Sequence, residues 1–138
     1  MHIEINDNTR LRDIQKVFSN YYPFLNLKFY HGVHKPYEKS DEKKGIDAEA
    51  KIGEIRKTHI STLLEIKPDY KVKDLERAFQ ERIGISIQVM MREKGKWVQS
   101  TGLDMLNIKD INLMSRNASD AFLVKDYDEG FEQESGLA

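Results

Sequence analysis

One pattern of strand, helix and strand occurs twice in this chain, and that recurrence constrains the fold more than any other feature. In the first copy Ile3 and Ile5 alternate with His2, Glu4 and Asn6, as a half-buried strand requires. Leu11, Ile14, Phe18 and Tyr21 then recur at helical intervals after an Asp7-Asn8-Thr9 cluster suited to an N-cap. Pro23 ends that helix, and Leu25, Leu27 and Phe29 alternate with Asn26, Lys28 and Tyr30 as a second strand. In the second copy Leu64 and Ile66 form the strand, followed by a helix with Val72, Leu75 and Phe79 inward. Gly84 stops the helix, and Ile85, Ile87 and Val89 line the next strand. At an offset of 61, residues 3–20 and 64–81 agree in kind at most positions, with identities at Glu4/Glu65, Ile5/Ile66, Asp13/Asp74 and Phe18/Phe79. Asp13 and Asp74 fall in the first turns of their helices, where the helix dipole favours negative charge, so no catalytic role is needed for them.

Two such units can close a mainly antiparallel sheet with both helices on one face, a ferredoxin-like plan within the α+β class. The expected core is Ile3, Ile5, Leu11, Ile14, Phe18, Leu25, Leu27, Phe29, Leu64, Ile66, Val72, Leu75, Phe79, Ile85, Ile87 and Val89. After Val89, Glu93-Lys94-Gly95-Lys96 reads as a hairpin turn into a fifth strand over 96–101, and Asn107 can cap a last helix. In that helix Ile108, Ile111 and either Leu113 or Met114 are expected to face inward. The 138 residues suit one domain, placed at 1–118, with a charged connector over about 32–60 and an acidic tail at 119–138. Within the connector, 35–57 holds seven basic and six acidic side chains, and Ile46, Ala50, Ile52 and Ile55 suggest a short helix.

Charge and composition narrow the function classes. With 22 basic and 23 acidic side chains, the chain has no global attraction for nucleic acid or anionic membranes. The tail takes six acids and one lysine, leaving 21 basic and 17 acidic side chains in 1–118, which is no basic footprint. The absence of cysteine excludes disulfides, thiolate metal sites and a cysteine nucleophile. The amino-terminal segment lacks a basic region followed by an apolar run, so a cytoplasmic location without membrane attachment is expected.

Neither a phosphate loop, a GxSxG elbow, an HExxH motif nor a complete calcium loop occurs, so no catalytic, cofactor or metal residue is nominated. His31 and His34 are the only close histidine pair; they could share a metal or small ligand with nearby acids, although such a pair at a strand–loop junction is more often just solvated. The sheet face opposite the helices should carry Glu4, Lys28, Tyr30, Glu65, Lys67, Gln88, Met90 and Arg92. Among its residues and their neighbours, Tyr30, Leu63, Met90, Arg92 and Trp97 form the candidate interaction face, because aromatic residues, Met and Arg are enriched at interface cores. A non-enzymatic protein-interaction or regulatory module, as a homodimer or with another protein, is the leading expectation. Single-stranded nucleic acid across Tyr30, Lys28 and Arg92 is the alternative.

The Leu75-Glu76-x2-Phe79 helix, the Gly84-Ile85-x-Ile87-Gln88-Val89 strand, the Lys94-Gly95-Lys96-Trp97 hairpin and the Thr101-x2-Asp104 segment resemble those of a family of small uncharacterised bacterial α+β proteins. That resemblance implies no activity and carries no catalytic residues with it.

Overall fold

The computed structural model describes residues 1–31, 45–100, 102–103 and 105–118. It is an α+β fold of ferredoxin-like type, in the order β1 (His2–Asn6), α1 (Leu11–Tyr21), β2 (Leu25–Tyr30), α2 (Ile52–Ile55), β3 (Ser61–Glu65), α3 (Val72–Ile83), β4 (Ser86–Glu93), β5 (Lys96–Gln99) and α4 (residues 108–118). The strands pair as two antiparallel sheets, β1–β3 and β2–β4–β5, where the sequence pattern led us to expect one. Alternation gives each strand an apolar side but does not choose its neighbour, which is why the division was not visible in the pattern.

Every residue of the expected core is buried in one cluster, which Ile52, Ile83, Met91, Ile108 and Ile111 extend. Phe29 from β2 meets Phe79 from α3 edge-on, with ring centroids 6.0 Å apart. Two inward assignments change. Tyr21 is exposed and Tyr22 packs on Phe18 instead, at 5.3 Å. In α4 Leu113 and Met114 are exposed, whereas Ser115, four residues after Ile111, is fully buried.

The helix starts differ from a simple Asx cap. Asp13 Oδ2 accepts the Arg10 N–H at 2.9 Å and Asp74 Oδ2 accepts the Lys71 N–H at 3.0 Å. Each first-turn acid therefore reaches back to the residue before its own helix, as Glu54 does for Lys51 at 2.7 Å. The Asp7-Asn8-Thr9 cluster builds the turn out of β1: Asn6 Oδ1 accepts the Asn8 N–H and Thr9 Oγ1 accepts the Asn6 N–H.

Corresponding backbone bonds then organise both halves of the chain. Leu11 N–H donates to Ala50 O and Ile52 N–H to Thr9 O; in the second half Val72 N–H donates to Leu106 O and Ile108 N–H to Tyr70 O. Ile46 N–H reaches back to Phe29 O as Ser100 N–H reaches back to Val89 O. Each βαβ segment is thus followed by a return strand segment, a clasp on the helix start and a further helix, α2 or α4. The short connector helix expected around residues 46–55 is confined to Ile52–Ile55 because Lys51, bridged to Arg10, is held extended at its start.

Candidate interaction surface

The outer side of β2–β4–β5 is set by register. Asn26, Lys28 and Tyr30 lie opposite Met90, Gln88 and Ser86, and Trp97 and Gln99 of β5 lie opposite Arg92 and Met90. The β4–β5 hairpin closes through Lys94 and Gly95, at φ 52° and 79°; both positive values match a two-residue turn whose twist suits the strands. That turn brings the Arg92 guanidinium over the Trp97 ring, 5.5 Å from its centroid. The Arg92 backbone is anchored at both ends: its N–H donates to Phe24 O at 3.0 Å, and its carbonyl accepts from Ser115 Oγ.

The structure separates the five candidate residues. Arg92 is exposed and Trp97 is 39% exposed, side by side at the hairpin. Tyr30 and Met90 lie on the same sheet but retain only 4% exposure each, and neither belongs to the main core cluster. Gln88, between them on β4, is buried, with its amide near Ser100 Oγ (3.4 Å) and Val89 O (3.2 Å). Leu63 is 53% exposed on the other sheet, opposite Glu4, where it joins His2, Asn6 and Ser61 along an open groove. Glu4 and Glu65 likewise belong to β1–β3 rather than to the sheet that carries Arg92.

His31 is exposed at the end of β2, while His34 lies outside the described residues. Among the described residues no three His, Asp or Glu side chains gather closely enough to hold a metal ion. The tail at 119–138 also lies outside them. Among the described residues no helix is long and apolar enough to cross a membrane.

Three features were not anticipated. Asp7 joins three segments: Oδ1 accepts the Ile60 N–H at 2.9 Å, Oδ2 meets His59 Nδ1 at 2.5 Å, and its carbonyl accepts the Gly53 N–H at 2.9 Å. The Ile60 N–H, followed by His59, holds the Asp7 carboxyl below its usual value. Ser115 ties α4 to both Phe24 O (3.1 Å) and Arg92 O; its place seven residues after Ile108 on the inward stripe was readable, though its partners were not. Lastly, Met105, Leu106, Leu113 and Met114 expose apolar surface around α4. Comparison with protein-family models, curated proteins and solved structures finds no match to this chain.

Proposed function

We propose that this chain is a non-enzymatic, cytoplasmic protein-interaction module whose contact surface centres on the Arg92–Trp97 pair, with self-association through β5 as its simplest form. The observation that carries the reading is that pair: an exposed tryptophan stacked under an arginine, on a strand at the edge of its sheet. Tryptophan and arginine are the residues that most often dominate binding energy at protein contacts. An edge strand also offers backbone groups for pairing with a partner strand. The anchored backbone of Arg92 favours such a role, since a preorganised side chain loses less freedom on binding.

Nucleic-acid stacking draws less support, because Tyr30, its intended platform, is buried. The resemblance to small bacterial α+β proteins supplies no residue roles. Sedimentation velocity over a wide concentration range, with capture of partners by the immobilised full chain, tests the proposal using Trp97→Ala and Arg92→Ala. Self-association or capture should weaken at least tenfold in both variants, as loss of a central contact worth about 1.4 kcal/mol or more requires. A monomer at all concentrations with no captured partner sensitive to either substitution would refute it.

A further inference from the structure

Two of the histidines meet a carboxylate, and they do so through different ring nitrogens. His2 turns Nε2 toward Glu65 Oε2, 3.6 Å away, across the β1–β3 ladder. His59 instead presents Nδ1 to Asp7 Oδ2 at 2.5 Å, just beyond the Asn6–Ser61 end of the same ladder.

Asp7 is itself held in place. Its Oδ1 accepts the Ile60 N–H at 2.9 Å, and its carbonyl accepts the Gly53 N–H at 2.9 Å. Gly53 packs so closely that a Cβ there would lie 3.0 Å from the Asp7 carbonyl oxygen and 3.1 Å from the Asp7 Cβ. With its carboxyl held below the usual value by the Ile60 N–H and His59, Asp7 is ionised at neutral pH and offers only lone pairs. Nδ1 is therefore the donor, and a neutral His59 carries its lone pair on Nε2. The His59 side chain is 78% exposed, which leaves Nε2, on the side of the ring away from Asp7, open to solvent.

A nitrogen nucleophile needs a lone pair fixed on one ring nitrogen, open access to it, and a carboxylate on the other nitrogen to stabilise positive charge as the ring takes on an electrophile. We infer that His59 Nε2 is a phosphoryl-acceptor site, served by small donors of the phosphoramidate or acyl-phosphate class. The Nε2 lone pair forms the new N–P bond while the bond from phosphorus to the donor's leaving group breaks. That group departs with the bonding electron pair, as ammonia from an N-protonated phosphoramidate or as a carboxylate from an acyl phosphate. Nδ1 keeps its proton throughout, so the product is an imidazolium held between the Asp7 carboxylate and the phosphoryl group. This site belongs to the β1–β3 sheet and owes nothing to the Arg92–Trp97 pair on the other.

Incubating the full chain with potassium phosphoramidate tests this directly. Peptide mapping gives the rate at each of the four histidines. Phosphorus–proton correlation spectra identify the nitrogen, because both ring carbons beside Nε2 carry a proton whereas only one beside Nδ1 does. His31 is also exposed and so controls for access. His59 should take up phosphate about tenfold faster than His31, or more, the least that an orienting carboxylate typically contributes. In Asp7→Asn, Oδ1 keeps the Ile60 bond while the amide N–H faces Nδ1, which drives the ring proton onto Nε2. The rate at His59 should then fall about 10–100-fold, as activity does where a histidine's orienting carboxylate is removed at a metal site. In urea the wild-type chain should lose its preference, with all four histidines reacting alike. Uptake at His59 no faster than at His31, a phosphoryl group on Nδ1, a preference that survives urea, or an Asp7→Asn rate equal to wild type overturns the proposal.

Discussion

Replacing Gly84 with alanine should destabilise the fold by about 1.5 kcal/mol, through two separable effects. Gly84 ends α3 in the left-handed region, at φ 68° and ψ 28°, where its N–H donates to Phe79 O and Gln80 O, each at 3.0 Å. Holding an L-residue there costs about 1–2 kcal/mol. An alanine Cβ would also lie 2.8 Å from Arg56 Cζ and 2.9 and 3.0 Å from its two terminal nitrogens, so the guanidinium has to move. It would leave the carbonyl end of α3, where a positive charge contributes about 0.3–1 kcal/mol. Reduced freedom of the unfolded alanine chain returns about 0.4–1 kcal/mol, which brings the net effect to about 1.5 kcal/mol. Urea unfolding followed by helical circular dichroism measures the total, and a cycle with Arg56→Ala separates the parts. In the Arg56→Ala background Gly84→Ala should cost about 0.5 kcal/mol less or better, the coupling expected of touching groups. A cost within about 0.5 kcal/mol of zero would refute the left-handed argument, and an equal cost in both backgrounds would refute the contact.

Ser115→Ala should lower stability by about 1–2 kcal/mol, because its fully buried hydroxyl shares its one proton between the carbonyls of Phe24, just before β2, and of Arg92 in β4. Hydrogen exchange should then quicken at Arg92 and in α4 before it does in α1, and uniform loosening across the chain would contradict the tether. Asp7 has its carboxyl held below 3.8 by the Ile60 N–H and by His59, so its contribution is complete above that value and fades as pH falls through the lowered one. The stability gap between wild type and Asp7→Ala should therefore be widest near neutrality and close under acid; a gap that widens on acidification would be decisive against this account.

Much of the fold was legible because side-chain periodicity and core burial are local consequences of sequence. Ile3, Phe18, Leu27 and Phe79 announce their faces within a few residues, and all are buried. Asp13 and Asp74 were recognisable as helix-start acids, although their bonds to the Arg10 and Lys71 N–H groups replace a purely dipolar explanation. Strand partnership was not legible, since the period that buries Ile5 and Leu64 is satisfied equally by one sheet or by two. The site was harder still. Tyr30 and Met90 alternate with core residues as exposed side chains would, yet both are enclosed. Only contacts across the far side of the sheet determine that outcome, and periodicity carries no information about them.

The correspondence between the two halves sharpens where function has to lie. Under an offset of 61 the pair Ile3–Leu64 exchanges with itself, and under an offset of 60 so does Lys28–Gln88; each ladder is therefore locally symmetric about that pair. Helix starts, clasps and return segments follow the same plan, so these features satisfy backbone bonding and core packing and need no functional cause. The side chains at symmetric positions differ in ways packing does not demand. Lys28 is exposed whereas Gln88 is buried, and the return after β4 is a tight hairpin that places Trp97 over Arg92. Binding, under the reading proposed above, would account for that placement, which falls on the sheet beside which α4 is anchored.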